Sequence, residues 1–289
     1  MDNVSQTFRD FDHSDPRLDE QGKTSRILQQ QLKGYKETDP DEKHEKAIPL
    51  SVIRNLHINA SSDLDRAIAT LCTGAIFFCM RSCEYSKVPT QDDRKTKLLC
   101  IRNFRFFKNN KGLDINKDDI ANASFLSITF EDQKNREKNQ AINLPCTKDS
   151  LLCPVKAWAS TITRIMSYKG ANKDTPINTF TSNSRKSHQI TNINIANALR
   201  TTVDIMGKES LGFGSKEIGT HSIRSGGAMI YCLAKTESYI IQIIGRWKSD
   251  SFLKYIRKQI QEFTSGITDE VLKMEHFNHV PKDSNLKSP

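Results

Sequence analysis

The stretch GTHSIRSGGAMIYCLAKTESYIIQIIGRWKSDSFLKYIRKQI, Gly219 to Ile260, decides how this chain is read. Its apolar residues fall into three short helical patterns, Ser222–Ala234, Glu237–Ile244 and about Ser251–Ile260. His221 and Arg224 are three apart at the start of the first, a spacing that lets both side chains converge on one point. Gly245 is a natural helix stop. Trp247 follows it, and Tyr255 comes eight residues after the tryptophan, beside Phe252 and Ile256. Singly these features are ordinary: an H-x-x-R pair is common on surfaces, a lone Trp usually packs, and a Tyr on an amphipathic helix is usually core or interface. Their order, spacing and apolar frame together carry the weight.

Upstream, Leu64, Ala67, Ile68, Leu71, Cys72, Ala75 and Phe78 follow the rhythm of a half-buried helix, with Ser62 as cap and Asp65 in the first turn. This helix is expected to run on towards "MRSCEYS". Strand-like segments follow: "LLCIRNFRFF" (Leu98–Phe107), "FLSITFED" (Phe125–Asp132) and "QAINLP" (Gln140–Pro145). The polar turn "QKNREKN" makes the last two a β-hairpin. Helical spacing returns with Val155, Trp158, Ala159, Ile162 and Ile165, with Pro154 suited to a first turn. A long polar loop, Ser167–Gln189, precedes a helix capped by Thr191 and bearing Ile195, Leu199 and Val203. The expected fold is α+β, mainly helical around a small antiparallel sheet. Residues 1–47 are polar, with one short helical pattern (Ile27, Leu28, Gln31, Leu32), and read as a linker or the remnant of an upstream domain. The compact region begins near Ile48.

At 289 residues, with 36% hydrophobic and 27% charged residues, the chain can bury a sizeable core. The mean hydropathy is −0.57, and no apolar run is long enough to span a membrane or serve as a secretory signal. A net charge of +9 and a pI near 9.1 favour a polyanionic partner. The seven cysteines form no C-x-x-C pair and no zinc-spaced set, so they read as reduced thiols of an intracellular protein, with no metal site.

The order H-x-x-R, G-x-W, Y resembles the tyrosine recombinases, the phage-type integrases among them. Members carry a first catalytic arginine after an apolar helix in an R-x-x-E pattern, matched by Arg81-Ser82-Cys83-Glu84. They carry a catalytic lysine at the turn of a β-hairpin, matched by Lys134 or, in the same turn, Lys138. The wording "HSIRSGGAM…GRW.SD.FLKYIR" looks most like recombinases of eukaryotic mobile elements of the crypton type. The resemblance implies a catalytic domain over about residues 48–275, a disordered tail over 276–289, and no cofactor. It also implies double-stranded DNA as partner, a homotetramer on paired sites with "TDEVLKMEHFNHVP" docking on a neighbour, and a nuclear location. The family's amino-terminal clamp domain is longer than the 47 residues preceding this region.

The chemistry implied is coherent in physical terms. Arg81 and Arg224 offer rigid forks for the non-bridging oxygens of a phosphodiester. Trp247 can donate its indole N–H to the same phosphate, and His221 can hydrogen-bond or move a proton. Tyr255 attacks as phenolate, and Lys134 (or Lys138) protonates the departing 5′ oxygen. The 3′-phosphotyrosyl bond stores the energy for rejoining. Arg246 and Lys248, flanking Trp247, are expected to touch the DNA backbone, as is Lys138, and Glu84 to orient a neighbouring cation. Two other readings stand beside this one: a DNA-binding relic that has lost the chemistry, and a type IB topoisomerase. The intact set of six residues argues against the first, and the H-x-x-R and G-x-W segments fit a recombinase better than the second.

Overall fold

The computed structural model describes residues 17–18, 21–26, 28–31, 34, 45–89, 96–132, 138–182, 187–253 and 256. The chain separates into two compact units, residues 1–43 and 44–289. In the first, Leu18 bridges Thr24, and residues 26 and 28–31 are helical; Ile27 and Leu32 lie outside the described residues.

The second unit is α+β, as its periodicities predict. Helix α1 (Leu50–Ile58) leads through a short turn to α2 (Asp63–Phe77). A capping box starts α2: Ser62 Oγ accepts the Asp65 N–H at 3.1 Å, and the Asp65 carboxylate accepts the Ser62 N–H at 3.0 Å. The helix runs towards "MRSCEYS" and stops just short of it. Cys79 turns left-handed (φ 45°), its N–H bonds Ile76 O and the Met80 N–H bonds Ala75 O. This Schellman closure is usually made by glycine, so nothing in the sequence announces it. A separate turn, α3 (Ser82–Tyr85), follows.

The sheet has four antiparallel strands in the order β2-β1-β3-β4: β1 (Phe104–Lys108), β2 (Lys111–Leu113), β3 (Phe125–Asp132) and β4 (Lys138–Pro145). The predicted hairpin is β3–β4, in register from Phe125 opposite Pro145 to Asp132 opposite Lys138. β1 begins later than the expected Leu98, because Ile101–Asn103 form a 3-10 turn. β2 was not foreseen; Asn109 and Asn110, both at positive φ, make the tight turn that returns the chain from β1. The stretch read as a polar loop, Ser167–Gln189, holds a further small pair, β5 (Thr179–Thr181) with β6 (Ser187–Gln189).

Phe104, Phe106, Leu126, Ile128, Phe130 and Ile142 form the buried face of the larger sheet and belong to the main core. Helix α4 (Pro154–Met166) packs across α2 and brings Trp158 to 4.9 Å from the Phe104 ring. Gly74 of α2 makes room: a β-carbon there would lie 2.3 Å from the indole. Four further helices follow among the described residues: α5 (Asn192–Met206), started by a Thr191–Asn194 capping box, α6 (Lys208–Leu211), α7 (His221–Leu233) and α8 (Ser238–Gly245). A 3-10 turn, Asp250–Phe252, stands where the third helix is expected to begin; of the rest of that expected helix only Leu253 and Ile256 are among the described residues. A second apolar cluster (Ala47, Ala228, Met229, Ile241, Phe252, Ile256) underlies α7 and α8. Among the described residues no helix is long and apolar enough to cross a membrane.

Two glycines set how closely α7 approaches its neighbours. A β-carbon on Gly226 would lie 2.5 Å from Ile48 O, and one on Gly227 would lie 2.3 Å from Ile76 O and 2.7 Å from Cys79 Sγ. The colliding atoms are mainly backbone, which yields little. Alanine at a helix interior normally gains about 1 kcal/mol over glycine. Here Gly227→Ala is instead expected to lose about 1–3 kcal/mol through overpacking, read as a lower urea midpoint at unchanged slope.

Candidate active site

The ends of α2 and α8 meet beside the start of α7, and the meeting is held by two buried arginines. Arg224, on the second turn of α7, donates from Nη1 to Cys79 O and from Nη2 to Gly245 O at 2.7 Å. Arg246, just past α8, donates from Nη1 to Phe78 O and Ile244 O, each at 3.1 Å. Two successive carbonyls at the end of α2 are thus stapled to two successive carbonyls at the end of α8. These carbonyls lie at or just past the carboxy ends, where helix acceptors lack partners within the helix and cations suit the dipole.

Arg246 is left-handed (φ 58°), and its N–H bonds Ile243 O while the Trp247 N–H bonds Gln242 O. The Schellman closure seen at Cys79 is therefore repeated. A non-glycine residue in this conformation costs about 1 kcal/mol, so the side chain must return more than a glycine could. Its guanidinium lies 3.6 Å from the centre of the Phe130 ring of β3 and gives Nη2 to Glu84 Oε2 at 2.7 Å.

Glu84 is the centre of the cluster. Its Oε2 also accepts the Arg81 N–H at 2.7 Å, and its Oε1 accepts Arg81 Nη1 at 3.0 Å. The Glu84 side chain is 1% exposed, Arg246 0% and Arg81 19%, so the chain of charges runs from the interior to the surface and ends on Arg81. Burial pushes the Glu84 carboxyl up, but Arg246, Arg81 and Arg224 outweigh it and hold the group below the usual carboxylate range. Burial pushes the Arg224 guanidinium down to about 9, aided by Arg81 and Arg246 and opposed by Glu84; at neutral pH it remains charged. The Cys79 thiol is pushed up to about 12 by burial against the pull of the two buried arginines, so it stays neutral.

Trp247 lies half-buried with its ring 4.1 Å from the Arg224 guanidinium carbon and 5.5 Å from the Phe252 ring. Gly245 permits this, since a β-carbon there would fall 1.7 Å from the indole. His221 is the first residue of α7, half-buried, one turn before Arg224. Its N–H bonds the Glu45 carboxylate at 2.7 Å, which places an acidic group at the positive end of α7.

Arg81, Glu84, Arg224, Arg246 and Trp247 are thus one contact network, with His221 on the same helix as Arg224. One expectation is corrected. Arg246 does not face the DNA backbone: its guanidinium is fully buried and spent on Glu84 and two carbonyls. Lys248 is exposed, and Lys138 is exposed at the start of β4, opposite Asp132. Lys134 and Tyr255 lie outside the described residues. Phe130, Gly245 and Glu45 were not read as site residues; only Gly245, as a helix stop beside a tryptophan, carried a signal.

No protein-family model matches the chain, and no curated protein matches it. Among solved structures it is similar to the Tn1549 transposon integrase in complex with transposon right end DNA, at 10% identity, covering 78% of this chain and 68% of that one, with a TM-score of 0.42. It is similar to the XerH site-specific recombinase bound to its difH substrate, at 13% identity, 90% and 60% coverage and a TM-score of 0.48. It is also similar to the XerA recombinase, at 14% identity, 79% and 67% coverage and a TM-score of 0.41.

Proposed function

We propose that this chain cleaves and rejoins DNA strands through a 3′-phosphotyrosine bond to Tyr255, with Arg81 meeting the scissile phosphate at the surface and the buried Arg224 supporting it by charge from behind. The observation that carries this reading is a charge imbalance. Three guanidiniums, Arg81, Arg224 and Arg246, act on one another around the Glu84 carboxylate, with the Glu45 carboxylate at the start of α7. Cations remain in excess in a poorly solvated place, and Arg81 brings the cluster to the surface. An anion with several oxygens completes such a site, and a phosphodiester whose charge grows during reaction completes it best.

The remaining roles follow the sequence resemblance. Tyr255 as phenolate forms the new phosphorus–oxygen bond, the bond to the 5′ oxygen breaks, and Lys134 (or Lys138) gives that oxygen its proton. The reverse attack by a 5′ hydroxyl restores the strand and frees the tyrosine. His221 and Trp247 serve the same phosphate. Double-stranded DNA as partner accords with the net charge of +9. A homotetramer on paired sites, descent from a crypton-type mobile element and a nuclear location belong to the same proposal.

The test uses suicide DNA substrates nicked near candidate cleavage positions. Wild-type protein is expected to leave a denaturation-resistant DNA adduct, and Tyr255→Phe none. No adduct from folded wild-type protein that binds DNA would overturn the enzymatic reading and leave a DNA-binding protein. Relaxation of supercoiled plasmid without site preference would point to the topoisomerase.

A further inference from the structure

We propose that Arg246 is a positioning residue, which fixes Glu84 from inside so that Glu84 can hold the Arg81 guanidinium at the surface in one orientation. This rests on the reading of Arg81 as part of a phosphate clamp. Glu84 has two oxygens and three donors to serve: Oε1 takes Arg81 Nη1, while Oε2 takes the Arg81 N–H and Arg246 Nη2. Without Arg246, the carboxylate would be anchored only to the residue it is meant to anchor. With it, Glu84 is tied through Nη1 of Arg246 to the ends of α2 and α8, and the Phe130 ring closes the remaining face. The same left-handed turn begins the segment that lays Trp247 on Arg224, so one residue sets both halves of the clamp.

The groups acting on Glu84 are Arg81 from its own turn, Arg246 from the end of α8 and Arg224 from α7; Cys79 and Tyr85 also lie in its field. Of these cations Arg246 makes the shorter guanidinium contact with the carboxylate, 2.7 Å against 3.0 Å for Arg81, and is itself fully buried. Removing it leaves a carboxylate that takes up a proton more readily and, once neutral, releases Arg81.

The experiment measures single-turnover cleavage of the suicide substrate across pH for wild type, Arg246→Met and Arg246→Lys, with DNA affinity determined alongside. Arg246→Met is expected to cleave at least about 10-fold more slowly at saturating DNA, with affinity within about 2-fold and an added loss of rate on acidification that wild type lacks. Arg246→Lys keeps a cation beside Glu84 and is expected to recover the wild-type pH profile. An unchanged rate and profile in Arg246→Met, or a loss of rate that only tracks the folded fraction, overturns the proposal. A second readout uses no DNA: the side-chain N–H resonances of Arg81 in 15N-arginine-labelled free protein, assigned by their disappearance in Arg81→Lys. They are expected to exchange slowly in wild type and in Arg246→Lys, and fast in Arg246→Met. If wild type forms no adduct but this difference appears, the positioning role stands and the proposed function falls. If Arg81 is equally well held in Arg246→Met, the positioning role falls whatever the activity.

Discussion

Glu84→Gln is expected to lose about 3–5 kcal/mol of folding stability, the usual consequence of removing one partner from a buried ion pair. The substitution changes almost no volume, so packing is not the cause. It takes the carboxylate from among Arg81, Arg224 and Arg246, of which Arg246 is wholly enclosed. Glutamine can accept one hydrogen bond at the same place, but it cannot offset the charge of a guanidinium shut away from water. Urea unfolding measures the loss; a change below about 1 kcal/mol would mean that solvent screens the cluster far more than its burial implies. Acidification supplies a check on the same carboxyl. Its folded-state pKa is depressed by the arginines, so its contribution is fully present above the unfolded value of about 4.3 and fades as pH falls through the folded one. Wild type should therefore lose stability below about pH 4, and Glu84→Gln should show a correspondingly flatter curve over that range.

Arg81→Lys is expected to cut the rate of strand cleavage by at least about 10²-fold, the scale of losing one preorganised donor to transition-state charge. Folding should change by less than about 1 kcal/mol, because Arg81 is partly exposed and lysine keeps the positive charge opposite Glu84. What lysine cannot supply is a planar fork that meets Glu84 and two phosphate oxygens together. Single-turnover cleavage with saturating DNA separates this from weaker binding. Cleavage near the wild-type rate would show that a point charge suffices there and that the fork geometry is immaterial. Arg224→Lys should be as slow, with an added stability loss, since one ammonium cannot span Cys79 O and Gly245 O.

Much of the scaffold was legible because its signals are local. The Ser62 and Thr191 caps each make their bonds within three residues, and β3–β4 is a hairpin across a short polar turn. The site was legible in part for the same reason: Arg81 and Glu84 lie in one turn, and His221 and Arg224 in another. Arg246 was misread because its neighbours Trp247 and Lys248 suggest a surface, while its partner Glu84 stands 162 positions away. The break at Cys79 was invisible because a residue with a β-carbon adopts a glycine's conformation there, held by contacts from α7 that no window of sequence contains. β2 was overlooked for a milder reason: its three residues are too few to show an alternation of their own.

The paired glycines of α7 bear on how far this stretch can vary. Surface lysines, loop lengths and even helix caps have substitutes that leave the backbone where it is. At Gly226 and Gly227 every other amino acid would push a carbon towards the backbone of Ile48 or Ile76, so a change there moves α7 itself. The H-x-x-R-x-G-G stretch of this chain thus carries two constraints at once, one of chemistry at His221 and Arg224 and one of close approach in the two glycines that follow.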